Sequence, residues 1–342
     1  MAYTAGIRSV FHRKKRSTVH YVRSNRKGDV MLKYVLKRLG YILVTLWVIV
    51  TCTFFMMKNL PGTPFDAERF SIMTPQQQER VLEMYGLNDS LPMQYVKYIK
   101  NMLKGDLGTS FTYVNQDVSK VITGRLGPSA LIGIQAVLIG LAIGLILGIL
   151  AAWKHNSGID YFTMILAVLG VSVPNFVAAA LLQYYIGLKW GALPVGFWTG
   201  WNCSVLPSIA LSFSATAMVA RFMRTEMLDV LDQDYIVTAR AKGLSQMKVL
   251  MRHAVRNSIL PVVTILGPIV VNLMTGSLAV ENIFSIPGIG SLFVDCIKAN
   301  DYPVIMGITI FYAAFYMLIV LLVDLAYSLI DPRIRLAKGK ES

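Results

Sequence analysis

Six stretches of this chain run without a charged side chain and are apolar enough to lie in hydrocarbon. Leu39–Met57 covers nineteen residues, about 28 Å of helix, which matches the thickness of a bilayer core. Ser129–Trp153 and Tyr161–Leu188 run for twenty-five and twenty-eight residues. Val205–Ala220, Val262–Val280 and Val304–Val323 complete the set, the fourth being short and ending in Arg221 and Arg224. The pattern predicts an all-α membrane protein with six transmembrane helices. Its first apolar run is longer than that of a signal peptide. It is followed by Asn59-Leu60-Pro61-Gly62 rather than a small-x-small site, so it reads as a retained helix.

The polar segments divide the rest. Residues 1–30 are a basic tail with the run His12-Arg13-Lys14-Lys15-Arg16, suited to anionic lipid. Residues 31–58 hold an amphipathic lead-in, Met31–Arg38, and the first span. Residues 59–127 form the one sizeable soluble lobe, residues 128–330 the other five spans with a polar loop at 226–261, and residues 331–342 a tail. Within the lobe, Thr74-Pro75 with Gln77 predicts a capping-box helix start, stopped at Gly86 after Tyr85. A second helix runs from about Pro92 to Lys104, with Gly105 as its stop and Tyr95, Ile99, Met102 and Leu103 on one face. Spanning a bilayer requires no such lobe, so it is expected to lie against the spans or a partner.

Glycines recur every fourth residue in the second span, at Gly140, Gly144 and Gly148, which predicts close approach of a neighbouring helix within the chain. Pro174 in the third span and Gly267-Pro268 in the fifth predict kinks.

Charge fixes the expected orientation. The formal net charge of +14 invites a nucleic-acid reading, but its distribution opposes one. With the N-terminus inside, twenty-three of the thirty-three Lys and Arg fall in cytoplasmic segments. The two short outer loops carry one each, Lys189 and Lys298. The eight in segment 58–127 are nearly balanced by seven acids. Six spans with both termini in the cytoplasm therefore satisfy the positive-inside rule, and the 59–127 lobe becomes extracytoplasmic. Cys52 lies in a span. Cys203 and Cys296 fall in outer loops, where apolar packing is the default and pairing would need the fold to bring them together.

Catalytic patterns are absent: no G-x-x-x-x-G-K-[ST], H-E-x-x-H, C-x-x-C or G-x-S-x-G occurs. The chain is expected to be no enzyme and to bind no metal or cofactor itself; the four histidines, His12, His20, His155 and His253, all fall in cytoplasmic segments. The first three spans carry no ionisable group, Glu281 ends the fifth, and Asp324 near the end of the sixth could pair with Arg221 or Arg224. An ion-coupled carrier needs such groups at mid-depth, so energy for uphill transport is expected from elsewhere. That carrier, or a passive channel, is the alternative class. A low-specificity set on the fifth span, Asn272, Thr275, Ser277 and Glu281, offers candidates for a substrate path, with interhelical hydrogen bonding at least as fitting a role.

The loop after the fourth span looks built to receive a partner. Asp234 can cap a short helix over Tyr235–Lys242, Gly243 supplies a left-handed corner, and Ser245 can cap a second helix through about Ser258. The first helix offers small side chains, Thr238, Ala239 and Ala241, flanked by Arg240 and Lys242. On the second, Met247, Leu250, Met251, Ala254 and Val255 share one face and Lys248, Arg252 and Arg256 the other. A basic amphipathic helix on lipid head groups would give a similar pattern.

Thr238-Ala239-Arg240-Ala241-Lys242-Gly243 with His253, Arg256-Asn257 and Pro261 resembles the cytoplasmic loop of the dipeptide/oligopeptide/nickel permease family of ABC importers. Further landmarks are Leu60-Pro61-Gly62-Thr63-Pro64, Tyr85-Gly86-Leu87, Gly105-Asp106-Leu107-Gly108, Val280-Glu281-Asn282-Ile283-Phe284-Ser285-Ile286-Pro287-Gly288-Ile289-Gly290, Asp301-Tyr302-Pro303 and Asp331-Pro332-Arg333. The resemblance covers roughly residues 31–336 and is most similar to the first permease subunit of an oligopeptide system. It implies a type I ABC importer permease fold in the bacterial inner membrane. It also implies a homologous second permease, two cytoplasmic ATP-binding subunits that hold ATP and Mg, and an extracytoplasmic peptide-binding protein. Ala239, Ala241 and Gly243 would then be the core of the helix that couples to the ATPase. Val237 and Thr238 stand where the general permease signature has a glutamate and an alanine.

Overall fold

The computed structural model describes residues 35–59, 70, 72–84, 87–113 and 116–330. The chain divides into two units, Met1–Cys52 and Thr53–Ser342. The first unit carries most of α1, Val35–Lys58, which is long and apolar enough to cross a membrane.

The second unit opens with the lobe. Helix α2, Pro75–Met84, begins with the expected reciprocal cap: Thr74 N donates to Gln77 Oε1 at 2.9 Å and Gln77 N to Thr74 Oγ1 at 3.4 Å. Tyr85 and Gly86, its expected stop, lie outside the described residues, as do Leu60–Pro64 and the Asp331-Pro332-Arg333 stretch. Helix α3, Leu91–Leu103, ends at Gly105 with φ +83°. Of its expected inner face, Tyr95, Ile99 and Met102 are half-buried. Tyr95 and Tyr98 pack on the Phe54 ring at 5.4 and 5.8 Å between centroids, while Leu103 remains exposed.

Helix α4, Val118–Trp153, starts about three turns before the apolar run. Hydropathy missed those turns because they carry Lys120, which is exposed, and Arg125, while Val118, Val121 and Ile122 are buried against Ile289, Leu292, Val304 and Ile308. At thirty-six residues it is about 54 Å long.

The third span is broken. Helix α5, Gly158–Ser172, and α6, Asn175–Leu182, the latter continued by a widened turn over Gln183–Lys189, meet at 102°. Pro174 forces the break: Val173 before it is extended (φ −84°, ψ 117°), as a residue preceding proline prefers. Two arms of fifteen residues at that angle still reach about 28 Å end to end. Their ends contact opposite ends of the bundle. Asp160 meets Arg224, and Gln183 Nε2 donates to Ile283 O at 2.8 Å. The pair therefore crosses the bundle, and the bend opens an apolar cavity of about 710 Å³ lined by Ile143, Leu166, Gly170, Leu182, Phe213 and Ala217.

Helix α7, Val205–Leu231, is the centre of the fold. It outruns the predicted span by eleven residues, because Arg221 and Arg224 continue the helix rather than end it. The glycine ladder of α4 faces it. A Cβ at Gly140 would stand 2.7 Å from Ala215 Cβ, at Gly144 2.7 Å from Val219 Cβ, and at Gly148 2.6 Å from Ala220 O. Every fourth residue of α4 from Ile132 to Ala152 is buried, the seam expected of small residues between membrane helices.

The chain then makes α8, Asp234–Ala241, and a helix from Gln246 that runs through a widened turn at Leu250–Val255 into α9, Arg256–Ile283. The second hairpin helix and the fifth span are thus one rod. Pro261 and Pro268 lie inside it without ending it. Helix α10, Ile289–Lys298, and α11, Tyr302–Ile330, finish the described chain. Asp301, fully buried, opens α11: its carboxylate accepts from Ser110 Oγ at 2.5 Å and Thr112 N at 3.0 Å, tying the lobe to the last span. Cys203 and Cys296 are separate, buried free thiols.

Candidate functional site

Two polar constructions stand at opposite ends of the bundle. At the Arg224 end, Asp160 is nearly fully buried and takes a two-pronged bond from the guanidinium, Nε to Oδ1 at 2.5 Å and Nη2 to Oδ2 at 2.8 Å. Asn156 N donates to Oδ2 at 3.0 Å, and His155 Nδ1 lies 3.1 Å from the same oxygen. Arg224 thus pairs with Asp160 in the first turn of α5 rather than with Asp324; the side chain of Asp324, expected beside Arg221 or Arg224, lies outside the described residues. Nothing in the apolar pattern signals this, because Asp160 falls one residue before the third charge-free run.

Beside that bracket, the hairpin is packed onto α7. Ile236, Ala239, Val249, Leu250 and Ala254 join Met223 and Met227 in one buried cluster. Ser258 Oγ donates to Ala254 O at 2.9 Å and to Glu226 O at 3.3 Å, and Asn257 Nδ2 to Tyr235 Oη at 3.0 Å. Gly243 turns the corner with φ +75°, and nothing lies within 4 Å of where its Cβ would be.

Two expectations change at this level. Asp234 is the first helical residue, not the cap; Gln233 precedes it with extended backbone. Ser245 precedes the second helix, also without a side-chain cap bond. Ala239 is only 6% exposed, because α8 places it beside Ile236 on the packed side. Thr238, Arg240, Ala241 and Lys242 remain exposed. So do Val237 (59%), Met247 (51%) and Met251 (55%). The apolar stripe of the second helix therefore splits: Leu250 and Ala254 face inward, and the two methionines face outward. Helical periodicity groups these residues on one side, yet Met247, ahead of the widened turn at Leu250–Val255, is exposed like Met251 within it. The result is a surface of small, aliphatic and thioether side chains with basic neighbours, on a hairpin whose interior is already filled.

At the other end, Glu281 is fully buried. Ser129 Oγ donates to Oε1 at 2.8 Å, Gly290 N and Ser291 N donate to Oε2 at 2.8 and 3.1 Å, and Ser277 also bonds to it. The Ser129 hydroxyl in turn accepts from Ile289 N at 2.8 Å. A carboxylate at the first turn of α10 complements the free N–H groups there. It also explains the glycines of the Gly288-Ile289-Gly290 run: a Cβ at Gly288 would overlap the carboxylate, and one at Gly290 would lie 2.9 Å from Oε2 and 2.8 Å from Leu278 Cα. Of the residues expected along a substrate path, Ser277 and Glu281 are therefore engaged in a knot joining α4, α9 and α10. The side chains of Asn272 and Thr275 lie outside the described residues.

Comparison with known proteins bears on both ends. Residues 144–336 match the model of a family described as the binding-protein-dependent transport system inner membrane component. Residues 31–127 match that of the N-terminal part of a binding-protein-dependent transport system membrane component. The dipeptide transport system permease protein DppB of Lactococcus lactis is 46% identical over 306 residues, covering 90% of this chain and 100% of that protein. The oligopeptide transport system permease protein OppB of Escherichia coli is 38% identical over 307 residues, covering 89% and 100%. A crystal structure of an amino acid ABC transporter with histidines aligns over 63% of this chain and 94% of that one, at 20% identity and a TM-score of 0.48.

Proposed function

Because this chain belongs to the family of binding-protein-dependent transport system inner membrane components, an all-α family of ABC importer permeases, we propose that its cargo is short peptides and that its hairpin takes force from an ATPase. The first part follows the relatives, which are dipeptide and oligopeptide permeases similar over nine-tenths of the chain. In this reading a homologous permease completes the pore and two ATP-binding subunits, carrying ATP and Mg, sit at the Arg224 end. A peptide-binding protein docks at the Glu281 end. The charge distribution supports the matching orientation, with both termini and the hairpin in the cytoplasm.

One observation carries the coupling role: the hairpin interior is filled by its own residues, while Val237, Thr238, Ala241, Met247 and Met251 stand out from it. Small side chains on α8 admit close approach by a groove, and methionines adapt to its walls. The three buried carboxylates among the described residues argue against ion coupling, since Asp160, Glu281 and Asp301 each accept several donors.

Gly243→Val tests the reading. A Cβ at this position meets nothing within 4 Å, so folding and membrane insertion are expected to be retained. A β-branched residue nevertheless resists φ +75° and opens the corner, at a cost of about 1–3 kcal/mol. Uptake of labelled peptide by cells carrying the variant is expected to fall to background at unchanged membrane levels. Normal uptake would remove the coupling role.

A further inference from the structure

Helix α3 carries more apolar side chains than its packing uses. Its inner edge is Tyr95 and Tyr98, which lie on the Phe54 ring, and Tyr95 also stacks on Phe55 at 5.7 Å between centroids. Val96, Ile99 and Leu103 stand at i, i+3 and i+7, so they form one strip along the flank next to Tyr95. Ile99 is half-buried, but Val96 is 58% exposed and Leu103 78%. The opposite flank is polar: Gln94, Lys97 and Asn101 border a cavity of about 340 Å³ shared with the last turn of α1 and with Tyr302. No acid occurs in Leu91–Leu103. Lys100 is exposed, has no ion-pair partner among the described residues, and stands one turn from both Val96 and Leu103. The depth of α3 is set by what it touches. Phe54 lies one turn inside the end of α1, whose charge-free run ends at Met57. Leu87, four residues before α3, and Leu107, four after it, border the same cavity, so the helix lies across the span ends rather than rising away from them. At this level Phe55 and Met56 of α1 are themselves exposed.

An exposed apolar strip at the height of a span end, edged by an unpaired lysine on a helix without acids, is the pattern of a helix lying in a membrane surface. We propose that α3 is such a helix: Val96, Ile99 and Leu103 enter the acyl-chain layer beside Phe55 and Met56, and Lys100 reaches the lipid phosphates. The Tyr95 ring makes this surface continuous, because it stacks on Phe55 and its neighbours around the helix begin the strip. Hydrocarbon takes from water the two aliphatic side chains that the protein leaves bare, and the apolar stem of Lys100 lies along them while its ammonium stays at the head groups. A protein partner fits less well: a stable interface uses about 20–30 residues a side, and the strip offers three side chains edged by a cation. The inference needs only that α1 spans the bilayer, and it is independent of the cargo and of the coupling role of the hairpin.

Photo-crosslinking of the full-length chain, in its assembly in native membranes, tests this. Benzoylphenylalanine is introduced singly in place of Val96 or Leu103, both exposed enough to accept it without repacking. Met56, exposed on α1, and Glu79, exposed on α2, serve as the lipid and water references. After irradiation, mass spectrometry of the purified chain is expected to find phospholipid attached at positions 96 and 103 as often as at 56. The yield should exceed that at 79 about tenfold, the scale of one aliphatic side chain's preference for hydrocarbon. A phospholipid yield at either position no higher than at 79 overturns the assignment. So does a crosslink from either position to another protein, which would give the strip to a partner chain instead.

Discussion

Gly148→Ala adds one methyl group at the tightest point of the α4–α7 seam. The methyl carbon would lie 2.6 Å from the carbonyl oxygen of Ala220, 2.8 Å from Met223 Cβ and 3.2 Å from Arg224 N. None of these is the free end of a side chain, so no rotamer change relieves the overlap. Restoring ordinary contact requires the helices to part locally by roughly 0.8 Å. Overpacking of this kind costs about 1–3 kcal/mol, only partly offset by the better helix propensity of alanine. The separation also falls next to Arg224, so the Asp160 bracket loosens with it. Gly133→Ala is the matched control: the same helix, the same chemical change, and nothing within 4 Å of the new carbon. That variant is expected to match or exceed the unaltered protein by up to about 1 kcal/mol. Thermal unfolding of the purified assembly, followed by loss of the monodisperse peak in size-exclusion chromatography, measures both. Gly148→Ala should melt several degrees lower and Gly133→Ala no lower. Equal melting temperatures for the two would refute the view that backbone contact across this seam holds the bundle.

The bracket at Asp160 gives a signed test: Arg224→Met leaves a buried carboxylate unpaired and is expected to cost about 3–5 kcal/mol, whereas Asp160→Leu with Arg224→Met should recover most of the loss, both read from the same melting assay. Cys296 is nearly inaccessible, and burial pushes its thiol up to about 12. At pH 8 about one molecule in ten thousand is then thiolate, so iodoacetamide should label this residue only after denaturation in SDS, as peptide mapping would report.

The spans were legible because a bilayer demands long uncharged runs, and the ladder of Gly140, Gly144 and Gly148 announced a close helix contact. The corner at Gly243 and the cap at Thr74 were legible because each depends on the chemistry of one or two neighbouring residues. Bounds set by tertiary burial were not. Helix α4 extends back to Val118 because the last span covers its inner face, and α7 runs past two arginines because Asp160 neutralises one of them. The roles of Ala239 and Glu281 were obscured for a related reason. A small residue and a carboxylate near a helix end both read as available, yet α8 turns the first inward and the start of α10 wraps the second.

What these features build is a bundle with one stiff pair and one joint. Helices α4 and α7 approach closely along the glycine seam, where α4 backbone lies against the carbonyls and the Ala215, Val219 and Met223 side chains of α7, which leaves only a thin side-chain layer to shear. The broken span is different in kind. Its first arm is held to α7 by Asp160 and Arg224, and its second to the far end of α9 by Gln183. Between those two pins lies the extended Val173-Pro174 joint, where the helical hydrogen-bond ladder is interrupted. A change in spacing between the two ends of the bundle can therefore be absorbed by the angle at this joint, without breaking either pin. The hairpin packs on the same α7 residues, Met223 and Met227, that flank the first pin. A push on the hairpin thus reaches the joint through packed side chains and a two-pronged ion pair, rather than through a flexible loop.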